Sequence, residues 1–100
     1  MILNKHESDG AIENLYNSSN IIASKYNIGS RKLAIIFNTG RQYLYHDVKK
    51  EDYDLFENAP SQGKILHSVI KKYKTERVAD VEDMSPLYDQ IKILKNSLNG

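Results

Sequence analysis

A β-hairpin at the centre of the chain constrains the fold more than any other feature. In the run 33–37, the apolar side chains at positions 33, 35 and 37 share one face, which is the two-residue period of a strand. The turn at 38–40 ends in a glycine that accepts the left-handed conformation, and a second alternating run follows over 41–46. Another β-branched and aromatic stretch, 19–26, precedes the turn at 27–30. We therefore expect a three-stranded antiparallel meander.

Two helices are predicted after the meander. The first covers 49–58 and ends before Pro60, because the residue before proline avoids helical geometry. Ser61 is a good N-cap for the second, which we expect to run to residue 73. Its buried stripe consists of Ile65, Leu66, Val69, Ile70 and Tyr73.

The terminal segments add further helical predictions. Ser8 or Asp9 is a possible cap for a short helix through Tyr16, and Ser85-Pro86 opens a C-terminal helix. The expected fold is thus α+β, a three-stranded antiparallel sheet packed by two helices with N- and C-terminal helical extensions. We divide the chain into an N-terminal extension (1–17), a compact domain (18–74), and an acidic linker with the C-terminal helix (75–100).

Charge and composition exclude several classes of protein. The net charge is +1, and the pI of about 7.9 is too low for a chain that coats long nucleic acids. Ten basic and five acidic residues give the middle segment, 18–74, a charge of +5 between two acidic flanks. The absence of cysteine excludes disulfides and thiolate sites. Because no membrane-length apolar run or signal peptide is visible, we expect a cytoplasmic protein without a membrane partner.

The ordered pattern over 19–73 resembles the KTSC domain, a module named for its place at the C-terminus of some lysyl-tRNA synthetases. The matching residues are Ser19-Asn20-Ile21, Tyr26, Leu33-x-Ile35-x-Phe37, Gly40, Tyr43-x-Tyr45, Val48, Ala59-x-Ser61-x-Gly63, Ile65, Leu66 and Ile70-Lys71. Four positions carry a residue other than the usual one: Asn27 stands for Asp, Lys49 for Pro, His67 for Asn, and Lys71 for Arg, which keeps the positive charge. The resemblance implies RNA binding, the role suggested for the family. Its free-standing form in bacteria and bacteriophages also implies a counter-defence protein acting in the host cytoplasm.

The segment Ser61-Gln62-Gly63-Lys64 is a candidate anion site. A helix start offers free N–H groups, Gly63 allows a ligand to approach the backbone, and Lys64 adds a positive charge. The alternative is a plain N-cap whose glycine serves close helix packing. The segment is not a P-loop, because Asn58 and Ile65 occupy positions where that motif needs glycine and a hydroxyl residue.

Tyr43 and Tyr45 share one face of the predicted sheet beside Arg41. If that face is open, the two rings form a platform on which a base can stack; if helices cover it, they belong to the core. Lys71 and Lys64 flank the apolar stripe of the second helix, which is also how a solvated helix edge looks. Arginine is the preferred residue for bidentate phosphate recognition, so a phosphate clamp is expected to use Arg41 or Arg31.

Signals for catalysis are poor. No histidine has metal-ligand spacing, and we predict no catalytic residue, metal or cofactor. The prediction is a non-catalytic module that binds a phosphate-bearing small ligand, such as a nucleotide or cyclic nucleotide signal, and acts by sequestration. An RNA-binding module and a protein–protein inhibitor of a host factor are the alternatives.

The apolar stripe of the C-terminal helix predicts assembly. Leu87, Ile91, Leu94 and Leu98 form a narrow stripe that suits a partner helix, so we expect a homo-oligomer through this helix. The alternative is packing on the helix over 62–73 of the same chain.

Overall fold

A six-stranded antiparallel sheet, in which each strand pairs with its neighbour in sequence, organises the protein. The structure is a computed structural model that describes residues 1–99; Gly100, at the end of the predicted C-terminal segment, lies outside the described residues. The strands are β1 (Ile2–Ser8), β2 (Ala11–Tyr16), β3 (Ile21–Asn27), β4 (Lys32–Phe37), β5 (Gln42–Tyr45) and β6 (Thr75–Val78). The helices are α1 (Lys50–Glu57), α2 (Gln62–Ser68), a 3-10 helix (Ile70–Lys72) and α3 (Ser85–Asn99).

The predicted sheet of three strands packed by two helices is wrong. The expected meander is present as β3, β4 and β5, but β1 and β2 extend the sheet on one side and β6 on the other. The second predicted helix ends at Ser68 and gives way to the 3-10 helix, whereas the predicted C-terminal helix is present as α3. The prediction failed because it treated both ends of the chain as helical or linker extensions outside the sheet, whereas residues from both ends form strands of it.

The predicted N-terminal helix is also wrong, and the turn between β1 and β2 explains why. Asp9 and Gly10 both have positive φ, 51° and 79°, as the two central residues of a type I′ hairpin turn require. Ile12, Asn14 and Tyr16 are buried at every second position of β2, which is the period of a strand. Ile12 and Tyr16 are four residues apart, which is also the spacing of side chains on one side of a helix, and the sequence therefore predicted a helix here.

Strand β6 lies in the stretch that the charge pattern assigned to a linker. His46 donates its backbone N–H to the Lys74 carbonyl at 2.9 Å, and Tyr43 stands opposite Arg77 in the ladder that follows. Acidic composition therefore does not prevent this short stretch from pairing along β5, where its exposed side chains remain in solvent.

The main core lies between the sheet and the helices α1 and α2 with the 3-10 helix. Its buried members are Ile12, Tyr16, Ile21, Tyr26, Leu33, Ile35, Tyr45, Val48, Tyr53, Phe56, Leu66 and Ile70. These side chains come from β2 to β5 on one side and from the helices on the other, and Val48 comes from the loop between β5 and α1. The face that carries the predicted tyrosine platform is therefore largely covered.

Helix α3 packs on the opposite face of the sheet. Leu87 and Ile91 contact Ile22 and Ala23 of β3 there, and the small Ala23 side chain leaves room for the helix. The helix thus lies neither on α2 nor free of its own domain. The homo-oligomer remains a prediction, and Leu98, the last residue of the stripe, is 61% exposed.

The β4–β5 turn is fixed by the segment that leads into α3. Gly40 has φ 90°, and a Cβ there would lie 3.4 Å from the Met84 side chain. The Gly40 carbonyl accepts the Val81 N–H at 2.9 Å, and the Tyr88 hydroxyl donates to the Asn38 carbonyl. Residues from the segment 81–88 thereby hold the turn, which matters because the turn forms one wall of the site described next.

Candidate functional site

A cavity of about 420 Å³ opens between the β4–β5 turn and α2. We call it the Arg41 pocket. Its lining residues are Asn20, Ile21, Phe37, Asn38, Thr39, Arg41, Tyr43, Gly63, Leu66 and His67. They come from the start of β3, the end of β4, the turn, β5 and α2, so the pocket exists only once the meander and α2 have packed together.

Three of the seven predicted ligand-binding residues meet in this pocket. Arg41 and Tyr43 enter from β5 and the turn before it, and Gly63 enters from the first turn of α2. Because Gly63 lies twenty positions after Tyr43 in sequence, folding rather than local sequence brings it to the other two residues.

Tyr45 does not belong to the pocket. Its side chain is 7% exposed within the main core, and burial raises the pKa of its hydroxyl. Tyr43, by contrast, is half-buried, with its ring edge-to-face against Phe37 at 5.7 Å between centroids and 88° between planes. The pair that the sequence placed on one platform is therefore divided between core and pocket wall.

The remaining predicted ligand-binding residues do not line the pocket. The Ser61 hydroxyl accepts the Lys64 N–H at 3.5 Å, which makes Ser61 the N-cap of α2. Lys64 and Lys71 are exposed, and neither they nor Ser61 are among the residues that line the pocket. Because α2 has only seven residues and Ser61 already caps the N–H of Lys64, the helix terminus by itself is a weak anion site.

Arg41 is the charged group of the pocket best placed to meet an anion. Its side chain is exposed, and within residues 1–99 no ion pair involves it. Its backbone N–H donates to the Thr39 hydroxyl at 3.4 Å, which holds the turn against the arginine. A guanidinium without a carboxylate partner retains its five donors for a ligand.

The turn that carries Arg41 is rigidly anchored to β3. The Asn38 N–H donates to the Asn20 carbonyl at 2.8 Å, and the Asn38 side-chain amide donates to the Ser19 carbonyl at 2.7 Å. With the Tyr88 bond described above, Asn38 is held by three partners. One wall of the pocket is thus formed before any ligand arrives.

Sequence reasoning missed the polar residues of the opposite rim. Asn20, Thr39 and His67 are exposed and line the pocket, but none of them is among the ligand-binding residues predicted from the sequence. A signal for His67 was available, because it follows Gly63 by four residues and side chains at that spacing share one helix face.

A second cavity, of about 440 Å³, opens on the other face of the sheet beside α3. Its charged lining includes Glu13 and Lys25, which pair with each other at 3.5 Å, and the uncharged part includes Ala23 and Leu87. An anion there would compete with a carboxylate for the lysine. The Arg41 pocket is therefore the better candidate for a negatively charged ligand.

Residues 1–99 contain neither a cluster of metal-binding side chains nor a helix that could span a membrane. Within residues 1–99, no group of three or more His, Asp or Glu side chains lies close enough to hold a metal ion. In the same part of the chain, no helix has the length and apolar character needed to cross a bilayer.

Comparisons with known proteins find similarity to one family over the central part of the chain. The model of the KTSC domain matches residues 17–73, which include β3, β4, β5, α1, α2 and the 3-10 helix. Among solved structures, the chain is similar to the KTSC domain protein YPO2434 from Yersinia pestis, with 27% sequence identity and a TM-score of 0.65. That match covers 69% of this chain and 99% of the other. Among curated proteins none matches significantly. The family match spans more than half of the sequence, and the chain belongs to the KTSC domain family.

Proposed function

We propose that the protein binds a small phosphate-bearing ligand, such as a nucleotide or cyclic nucleotide, in the Arg41 pocket without transforming it. The observation that carries the proposal is the meeting of Arg41, Tyr43 and Gly63 around one preformed cavity. A volume of about 420 Å³ falls within the range of small-molecule sites. Arg41 binds the phosphate through charge-assisted hydrogen bonds.

The Tyr43 ring offers a contact for the nucleobase of such a ligand. The edge-to-face contact with Phe37 fixes the Tyr43 ring, which lines the pocket beside Arg41. A nucleobase stacks on an aromatic ring of this kind irrespective of its identity. The amide of Asn20 and the hydroxyl of Thr39 offer donors and acceptors for sugar or base edges.

Charge favours a short ligand over a long polyanion. The pocket holds one arginine and one histidine as its basic side chains. The excess of positive charge is a modest +5 confined to the middle segment, and both flanking segments of the chain are acidic. One or two phosphates therefore suit the site better than the six or more contacts of a typical nucleic-acid interface.

The experiment is calorimetric titration of the intact protein with AMP, cyclic AMP, cyclic dinucleotides and inorganic phosphate. Arg41→Ala should weaken the tightest of these by about 1–3 kcal/mol, since a charge-assisted bidentate contact is lost. Lys32→Ala removes an exposed positive charge away from the pocket and is the matched control. Equal loss in both variants, or no binding of any of these ligands, contradicts the proposal. Chromatography of the released ligand checks that it leaves unchanged.

RNA binding is separated from this proposal by its salt dependence. A complex with a single-stranded oligonucleotide weakens steeply with the logarithm of salt concentration, whereas a mononucleotide complex weakens only gently. A steep slope with short RNA, combined with no affinity for nucleotides, would favour the RNA alternative.

A further inference from the structure

We propose that two copies of this chain join through β1, each β1 pairing antiparallel with the other so that the two sheets become one. This proposal does not depend on what the Arg41 pocket binds. The oligomer expected from the sequence joins through the C-terminal helix. The dimer proposed here joins through β1, and the end of α3 adds a further contact.

Strand β1 is a long and uncovered edge. It has seven residues and pairs with β2 alone, so one row of its backbone N–H and C=O groups faces away from the sheet. Within the described chain, no backbone group of residues 3–8 bonds to any element other than β2. Such a row is a template for another strand unless side chains oppose the pairing.

The charges on β1 favour pairing with itself in one register. When two sheets join about a two-fold axis perpendicular to them, directly opposed residues must face the same side of the joined sheet. The register centred on His6 satisfies this and sets Lys5 of each copy opposite Glu7 of the other. Within its own chain Lys5 already lies 3.3 Å from Glu7 and 3.0 Å from Glu57, so the cross-strand pairs extend an existing charge network. Shifting the centre to Lys5 or to Glu7 opposes two like charges instead, which destabilises a strand pair.

The other edge of the sheet lacks this complementarity. Strand β6 has only four residues, Thr75–Val78. The same two-fold rule opposes Glu76 to Glu76 or Arg77 to Arg77 in the central registers. The preference for β1 therefore follows from the order of charges along each edge.

Helix α3 extends toward the proposed interface. It starts beside the β4–β5 turn, where Tyr88 meets Asn38, and contacts β1 further along. Leu87 and Leu98 are eleven residues apart, or about 16 Å along a helix, whereas β4 and β1 are separated by three strand spacings, about 14 Å. The helix is thus long enough to reach the β1 edge, and Leu98, which continues the stripe of Leu87 and Ile91, is 61% exposed. A second β1 would lie beneath it.

Sedimentation velocity over a range of protein concentrations measures the dimer. Glu7→Lys turns two attractive cross-strand pairs into repulsive ones, and we expect it to raise the dimer dissociation constant at least about tenfold. Leu98→Ser should also weaken the dimer. Glu82→Lys makes the same charge change in an exposed loop and should leave it unaltered. Circular dichroism confirms that each variant is folded.

A cysteine cross-link tests the register directly, because the chain contains no cysteine. In the proposed pairing His6 faces its own counterpart, so oxidised His6→Cys should form a covalent dimer under conditions in which Asn4→Cys does not. The two Asn4 positions are about 13 Å apart in that register, beyond the reach of a disulfide. A chain that stays monomeric at high micromolar concentration overturns the proposal, as does a dimer that Glu7→Lys leaves unchanged or that cross-links through position 4 instead of position 6.

Discussion

The rings of Tyr26 and Tyr53 stack nearly parallel, 4.3 Å apart between centroids with 8° between their planes. Tyr26 belongs to β3 and Tyr53 to α1, so this contact joins the first helix to the middle of the sheet. Each hydroxyl leaves the stack for a different partner: Tyr26 donates to the Val48 carbonyl at 2.7 Å, and Tyr53 donates to the Glu57 carboxylate at 3.2 Å. The stack thus fixes both the loop that precedes α1 and the end of α1 itself.

Alkaline pH should unfold the protein cooperatively, because burial raises the pKa of Tyr26 and of Tyr53. Unfolded tyrosines ionise near pH 10, about their ordinary pKa, while the folded state keeps its protons. The stability is therefore fully present below about pH 10 and falls as the pH rises above it. Burial raises the pKa of Tyr16 and Tyr45 as well, so several groups act together.

The measurement is absorbance at a wavelength that reports tyrosinate, followed together with far-ultraviolet circular dichroism. We expect ionisation of the buried tyrosines and loss of helix to occur in one transition. Gradual ionisation of all seven tyrosines with unchanged circular dichroism would show that burial does not hold these protons.

Glu57 is the centre of a buried polar network beneath α1. Its carboxylate is buried and accepts from Asn14 at 2.9 Å and from Tyr53, and Lys5 of β1 lies 3.0 Å away. Glu57→Ala leaves these donors without their acceptor, so it should lower the free energy of unfolding by about 2–3 kcal/mol. Glu51→Ala, an exposed change in the same helix, should alter it by less than about 0.5 kcal/mol. Urea unfolding compares the two, and equal effects would contradict the role of the network.

The central part of the fold could be predicted from sequence, and the ends could not. The alternation of Leu33, Ile35 and Phe37, followed by Gly40, defines a hairpin through local rules alone. The Asp9-Gly10 turn carried an equally local signal, but the apolar residues of β2 fit a short helix as well as a strand, and the helix was chosen. Short apolar runs are ambiguous in this way.

The site was predictable in part for a different reason. Arg41, Tyr43 and Gly63 were selected by their chemistry, and the fold places them around one cavity. Tyr43 and Tyr45 have the same residue type and the same strand face, so sequence periodicity cannot separate them. Their difference arises from which of them α2 and the 3-10 helix cover, and that depends on packing between distant elements.

Substitution of Gly63 should separate folding from binding. A Cβ at this position would meet the Asn20 side-chain amide at 3.7 Å, an ordinary contact, so Gly63→Ala should fold with at least the stability of the original chain. Gly63→Val places a branched side chain toward the pocket and should weaken nucleotide binding at least about tenfold, provided that a ligand is found. Thermal unfolding and calorimetry measure the two effects. If Gly63→Val unfolds the protein, the glycine serves helix packing and the binding interpretation of this residue is wrong.

Tyr43 and Tyr45 offer the sharpest comparison, because they differ in burial but not in chemistry. Tyr45→Ala removes a core side chain that is 7% exposed, so it should destabilise the fold by about 3–5 kcal/mol. Tyr43→Ala removes a half-buried wall of the Arg41 pocket; it should cost less stability and lower the affinity for a nucleotide by about 1–3 kcal/mol through lost stacking. Tyr43→Phe retains the ring and should retain the affinity. Urea unfolding and calorimetric titration of the three variants together measure both quantities. Should Tyr43→Ala unfold the chain while Arg41→Ala leaves binding unchanged, both tyrosines would be core residues and the pocket would not be the ligand site.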